Sequence, residues 1–235
     1  MLRAISEDHR EGHIATTRLG TGDIFLWVCD IQEKFSTAVT AFDRVALGAE
    51  TLARAMPLAV KPSGTLRLVV TEQVPEKLGT TVSPLMEALR SADERVVVHP
   101  KTAFSMYGSS ELTSERYEPI YDIVAQDGEG RRKKHVIVGL EAHVCVLQTA
   151  LDLRRHRPND DVFVCADAVS SIRLEDRAVA LRRMQAAGVI VTCTESVIFE
   201  LLEDAKHQSF REVSKLVRES AQRAQALSSA PLPSI

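Results

Sequence analysis

Three side chains of complementary chemistry stand at corresponding points of this chain, each close behind an apolar run of β type. Asp30 follows Ile24–Cys29, and Lys101 follows Arg95–His99 after one proline. Cys145 lies just past His135–Leu140, where a helix-like run from Val144 to Arg157 begins. A carboxylate, an ammonium and a thiol gathered at one sheet edge suit covalent nucleophilic catalysis. The carboxylate takes the thiol proton and returns it to a leaving amine, and the ammonium favours both thiolate and carboxylate. A cysteine in the first turn of a helix also meets unpaired N–H groups, which stabilise the nucleophilic thiolate.

The elements that must bring these groups together are legible as an alternation. Six runs read as strands: Ile24–Cys29, Leu66–Thr71, Arg95–His99, His135–Leu140, Asp161–Ala166 and Val189–Cys193. They are short, apolar on both faces and rich in Val and Ile, the pattern of buried parallel strands. Helical periodicity runs between them, through Phe35, Val39, Phe42, Ala46, Ala49, Ala53 and Met56, and more weakly through Leu174, Ala178, Leu181 and Gln185 in 173–187. Such alternation implies an α/β fold with right-handed crossovers and a parallel sheet covered on both faces. In such sheets ligands bind beyond the carboxyl ends of the strands near the topological switch point, where the three residues fall.

Composition narrows the classes. The 235 residues, 45% of them hydrophobic, suit a single domain over 1–227, with 228–235 as a flexible tail. A formal charge of −3 gives no footprint for nucleic acid, and Arg131-Arg132-Lys133-Lys134 reads as a solvated turn. No apolar stretch reaches the roughly 18 residues of a membrane span, and the acidic amino terminus is unlike a signal region. A cytoplasmic protein with no membrane partner is expected. The 4 cysteines include no Cys-x-x-Cys pair, and Cys29, Cys165 and Cys193 read as reduced core thiols. The segment from Gln208 to Leu227 carries an apolar stripe, Phe210, Val213, Val217 and Ala224, that suggests a homo-oligomer interface, with the Val144–Leu153 helix as a second candidate.

With Asp30-Ile31-Gln32, Lys101 and the Gly139-to-Cys145 turn in order, nearly the whole chain resembles the isochorismatase-like cysteine hydrolase family. The resemblance implies a Rossmann-like three-layer sandwich around a six-stranded parallel sheet of order 3-2-1-4-5-6. It implies a catalytic triad of Asp30, Lys101 and Cys145, and a cis peptide at Glu141–Ala142 that aims the N–H groups of Ala142 and Cys145 at an oxyanion. Thr71-Glu72-Gln73 with Pro75, Leu78-Gly79-Thr80-Thr81, and Lys101-Thr102 with Phe104-Ser105-Met106 further resemble the subgroup of isochorismatase-domain-containing proteins.

Two departures sharpen this. Metal-dependent nicotinamidases of the family carry histidines around the second strand, whereas this chain has none between His13 and His99, so neither a metal nor a cofactor is expected. Isochorismate-cleaving members lack the cysteine, so Cys145 favours hydrolysis of a small amide, imide or carbamoyl C–N bond. Gln32, Phe35, Glu72, Gln73, Phe104 and Glu141 are the expected substrate-pocket residues.

Each residue alone has a plainer reading. A buried cysteine is usually inert, Asp30 could simply cap a helix, and Lys101 could be a surface charge. The joint occurrence of all three favours the enzyme over a scaffold that keeps the fold and leaves its pocket unused. His143 is a poor partner for Cys145, because residues two apart on a helix point to nearly opposite sides. Gly20-Thr21-Gly22 precedes a strand instead of following one, and Gly-x-Ser-x-Gly and His-Glu-x-x-His are absent. Nicotinamide-cofactor and serine-hydrolase chemistry are therefore disfavoured.

Overall fold

β1, Asp23–Cys29, is buried along its whole length and pairs in parallel with β2, Thr65–Gln73, on one side and β4, Lys133–Gly139, on the other. β3, Val98–Lys101, lies outside β2; β5, Asp161–Val169, and β6, Ile190–Thr192, extend the sheet beyond β4. The resulting order is β3-β2-β1-β4-β5-β6. The computed structural model describes residues 17–20, 22–93, 96–107, 120 and 132–227.

Period-2 alternation on β1 divides the interior into two layers. Ile24, Leu26 and Val28 enter one apolar cluster, while Phe25, Trp27 and Cys29 enter another. The first is covered by α1, Phe42–Ala59, α2, Ser83–Ala92, α5, Thr194–Leu202, and α6, Phe210–Ala226. The second is covered by α3, Leu147–His156, and α4, Leu174–Ala186. On α1, Val45, Ala49, Leu52 and Met56 recur at spacings of three and four and are fully buried. Since α1 follows β1 and α3 follows β4, the connections from these adjacent strands leave toward opposite faces. The two connections thus diverge just beyond the carboxyl ends of β1 and β4, the usual ligand position in such a sheet.

Several expected boundaries shift for physical reasons. The apolar periodicity from Phe35 is not one helix: Glu33–Thr37 forms a 3₁₀ turn, and Ala41, at φ 55°, breaks the path before α1. β3 begins at Val98, later than expected, and continues through Pro100 to Lys101. It is an edge strand, where proline's missing N–H is tolerated. β2 and β5 run beyond their expected ends. Lys133 and Lys134 belong to β4 and not to a solvated turn; Lys133 is fully buried, its Nζ 5.9 Å from the Phe25 ring centroid. Arg131 and the expected tail lie outside the described residues.

The carboxyl-terminal stripe packs in part against the fold itself. Val213 is fully buried, with Phe210, Leu216 and Val217 packed on the same cluster. Arg223 grips Glu50 of α1 through Nη1–Oε1 at 2.6 Å and Nη2–Oε2 at 2.7 Å, and Ser220 Oγ lies 2.7 Å from Thr51 Oγ1. Val213 of the expected interface stripe thus packs within the chain itself, while Phe210, Val217 and Ala224 stay partly exposed. Among the described residues, no helix is long and apolar enough to cross a membrane.

Candidate active site

The site forms where β1, β2, β3 and the segment after β4 converge. β4 ends in Gly139, whose φ of +121° is unfavourable for a side chain. A Cβ there would stand 2.0 Å from the Cys29 carbonyl oxygen, the same oxygen that accepts the N–H of Leu140 at 2.8 Å. Glycine thus lets the turn press against the end of β1. A π-helical turn, Ala142–Val146, then carries Cys145 and runs into α3. Thr149 Oγ1 holds the Cys145 carbonyl at 2.7 Å and accepts the N–H of Met106 at 2.8 Å, tying the segment after β3 to the cysteine-bearing turn.

Asp30 adopts a left-handed φ of 50°, a conformation aspartate tolerates better than most residues, and its N–H donates to Thr71 O at 3.2 Å. One carboxylate oxygen, Oδ1, accepts from Thr71 Oγ1 at 2.8 Å, and the other, Oδ2, receives Lys101 Nζ at 2.7 Å. The Lys101 ammonium also reaches Gln73 Oε1 at 2.6 Å, Phe104 O at 3.0 Å and Ala103 O at 3.1 Å. Burial alone would pull the Lys101 pKa down. Interaction with Cys29, Asp30 and Cys145 outweighs that and raises it, so the ammonium form is favoured.

The sheet brings Asp30, Lys101 and Cys145 together and adds Cys29, a core thiol that also borders the site. Cys29 Sγ donates to Asp30 Oδ2 at 3.6 Å. One ligand atom from each of Cys29, Asp30 and Cys145 lies within 4.8 Å of the other two. Burial, then a hydrogen bond with Cys145 and the nearby charges of Asp30 and Cys145, push the Cys29 thiol well above its ordinary pKa. The signal was present in the pattern: Cys29 shares a face with Phe25 and Trp27 and ends the strand beside β4, opposite Gly139. Cys165 is a core residue on the opposite face, as expected, whereas Cys193 is partly exposed, its Sγ 3.1 Å from Ser196 Oγ.

The donor set of Cys29, Asp30 and Cys145 is the described cluster able to hold a metal ion. Lys101, 2.7 Å from the Asp30 carboxylate, places a positive charge where a cation would have to bind.

Several expected pocket side chains are occupied by the fold. Gln32 is fully buried; its Nε2 donates to Gln73 O at 3.1 Å and Gly79 O at 2.7 Å, and its Oε1 accepts the N–H of Gln73 at 2.8 Å. Glu72 Oε1 accepts both the N–H and Oγ1 of Thr81, at 2.6 and 2.9 Å. Phe35 packs on the cluster across the sheet from Cys145. Gln32 and Glu72 thus serve hydrogen bonds within the fold, and Phe35 serves its apolar packing. Gln73 stands at the site as the partner of Lys101, its Nε2 donating to Thr102 O at 2.8 Å. Phe104 offers its carbonyl to Lys101 while its ring is 52% exposed. Glu141 Oε2 accepts the N–H of Ile172 at 2.9 Å.

Two backbone expectations also change. The cis peptide joins Leu140 to Glu141, one bond earlier than expected. The Ala142 N–H donates to Ser170 O at 2.8 Å, so its proton is directed into the fold and not toward an oxyanion. His143 Nδ1 lies 3.0 Å from Ser171 Oγ, and its Nε2 lies 3.9 Å from Asp176 Oδ2.

Comparison with known proteins matches residues 25–196 to the Isochorismatase domain. The chain is 38% identical over 208 residues to a secreted isochorismatase effector, Isc1, of Phytophthora sojae, covering 87% of this chain and 90% of that one. It is 36% identical over 204 residues to isochorismatase domain-containing protein 2 of Xenopus laevis, covering 87% and 88%. A Caenorhabditis elegans structure described as MAR1 ribonuclease superposes with a TM-score of 0.71 at 32% identity, covering 93% and 97%. The sheet order, the turn after β4 and these matches agree: the chain belongs to the isochorismatase family and has its hydrolase-type α/β fold.

Proposed function

We propose that this protein is a cysteine hydrolase that cleaves a small amide, imide or carbamoyl C–N bond through a thioester on Cys145. The observation that carries the reading is the buried Lys101–Asp30 pair, 2.7 Å apart, placed beside the thiol. Asp30 takes the Cys145 proton, the thiolate attacks the carbonyl carbon, and the proton then passes to the departing nitrogen. Water next attacks the thioester with Asp30 as base, and the acid leaves as the thiol is reprotonated. Lys101, bonded to Asp30 Oδ2, balances the negative charge that moves between sulfur and carboxylate. With Ala142 committed to Ser170, we assign the oxyanion to the Cys145 N–H. Cys145 is only 7% exposed, which favours a small substrate over a polymer.

The test is a panel of small primary amides, cyclic imides and N-carbamoyl compounds, read by ammonia release and by mass spectrometry of the enzyme quenched during turnover, with a structured RNA in parallel. An acyl adduct confined to the Cys145 peptide, and loss of turnover in Cys145→Ala, are expected. RNA cleavage that survives Cys145→Ala, with no adduct from any member of the panel, would overturn the reading.

A further inference from the structure

Cys29 has no task in the mechanism above, yet its sulfur shares the space around Asp30 Oδ2 with that of Cys145. We propose that Cys29 and Cys145 form a reversible intramolecular disulfide, Cys145 being the thiol that meets a hydroperoxide and Cys29 the thiol that resolves the product. The proposal rests on the reading of Cys145 as the reactive thiol of the site.

Three observations on the two faces of the sheet support it. The ligand atoms of Cys29, Asp30 and Cys145 lie within 4.8 Å of one another, so the sulfurs have at most about 2.8 Å to close to reach the ~2.05 Å of a disulfide, a displacement on the scale of a side-chain rotation. Access is unequal: Cys29 is 0% exposed and Cys145 7%, so a small oxidant arriving from solvent meets Cys145 first. Asp30 Oδ2 already accepts the Cys29 S–H at 3.6 Å, which supplies the base a resolving thiol needs. Cys165 is no competitor, because it packs in the cluster on the other face of the sheet.

The chemistry balances without a metal or cofactor. The Cys145 thiolate attacks one oxygen of the hydroperoxide; the O–O bond breaks, a sulfenic acid forms on Cys145, and the other oxygen leaves as alkoxide or hydroxide and is protonated. Cys29 then gives its proton to Asp30, and its sulfur attacks the sulfenyl sulfur of Cys145. The S–S bond forms, the S–O bond breaks, and hydroxide leaves as water with the proton from Asp30. Two thiols are oxidised by two electrons, and one hydroperoxide is reduced to an alcohol, or to water, plus one further water. The disulfide occupies the nucleophile and shields it from irreversible oxidation to sulfinic acid.

The experiment exposes the full chain to hydrogen peroxide, blocks free thiols with iodoacetamide, and maps unreduced peptides by mass spectrometry. A cross-linked pair of the Cys29 and Cys145 peptides is expected, two hydrogens lighter than the sum of the reduced pair, with dithiothreitol restoring iodoacetamide labelling of Cys145 to its starting level. In Cys29→Ser, or Cys29→Ala if the serine variant folds poorly, Cys145 should instead be trapped by dimedone and then lost to sulfinic acid. Sulfenic or sulfinic acid accumulating on Cys145 in the unmodified protein while Cys29 stays free would overturn the proposal. So would an untouched Cys145 at doses that oxidise glutathione. The two readings fail separately: an acyl adduct without a disulfide sinks only this proposal, and a disulfide without an adduct sinks only the hydrolase.

Discussion

Gln32 and Gln73 are joined as though the Gln32 side chain were one more residue of a neighbouring strand: its amide accepts the Gln73 N–H at 2.8 Å and donates to the Gln73 carbonyl at 3.1 Å. Gln73 in turn presents Oε1 to Lys101 Nζ at 2.6 Å. The chain Gln32–Gln73–Lys101–Asp30 therefore fixes the ammonium from a residue two positions past Asp30 itself. Gln32→Ala would leave the N–H of Gln73 and the carbonyls of Gln73 and Gly79 without this partner. A loss of about 2–3 kcal/mol in urea unfolding is expected. Gln32→Glu keeps the acceptor but removes the donor and buries a charge, and should be at least as costly.

Alkaline titration should weaken the fold. The folded-state pKa of Lys101 is raised from its ordinary value of 10.5, and those of Cys29 and Cys165 are raised well above theirs of 9.0, the thiols chiefly by burial. For all three the folded chain holds its proton more tightly than the unfolded chain. Their contribution is therefore complete below the unfolded values and is lost as pH rises through the folded ones. Urea midpoints should hold level between about pH 7 and 8 and fall from about pH 9 upward. Replacing Cys165 by Ala should lower the plateau and flatten the decline, and a profile identical to that of the parent would count against the thiol as a cause.

The α6 stripe makes a prediction opposite in kind to that of an oligomer contact. Val213, on the inner face of α6, is 0% exposed and packs with the α1 cluster, so Val213→Ala should cost about 2 kcal/mol of folding stability. Light scattering should show its assembly state unchanged while it remains folded. Dissociation of an assembly with no change in unfolding midpoint would mean that the stripe faces another copy after all.

The sheet and the meeting of Asp30, Lys101 and Cys145 were legible because their signals are local: a strand of alternating apolar residues, a polar residue at its end, and a glycine ahead of a cysteine. Pairing information was not. Gln32, Glu72 and Phe35 stand at or after strand ends just as pocket residues would, and only the approach of Thr81, Gly79 and the α1 cluster shows which partners hold their side chains. Cys29 was missed because an apolar strand thiol reads as core until β1 is set beside β4. Lys133 was misread because a run of basic residues reads as solvated, although here the strand carries it under Phe25. The amphipathic period of α6 showed that it covers something without showing whether that surface belongs to this chain.

Thiol labelling tests the electrostatic core of the site. Cys29 and Cys165 are fully buried, whereas Cys145 is 7% exposed beside an ammonium and Cys193 is partly exposed with a hydroxyl neighbour. At neutral pH iodoacetamide should therefore label Cys145 and Cys193 and spare the other two. Cys145 should react faster than its small exposure alone would give, since the Lys101 ammonium attracts the negative charge that develops on its sulfur. Lys101→Met should slow labelling at Cys145 and leave the rate at Cys193 unchanged, an internal control against general loosening of the fold. Asp30→Asn should retain a labelled thiol yet lose about 10²–10⁴-fold in turnover of whichever amide or imide the panel yields, because the proton carrier is gone. Chelator should change neither rate; activity lost to chelation and restored by a divalent ion would assign Cys29, Asp30 and Cys145 to a metal in place of a covalent mechanism. Equal labelling at Cys145 in the parent and in Lys101→Met, with both folded, would remove the ammonium from the account of how this thiol is activated.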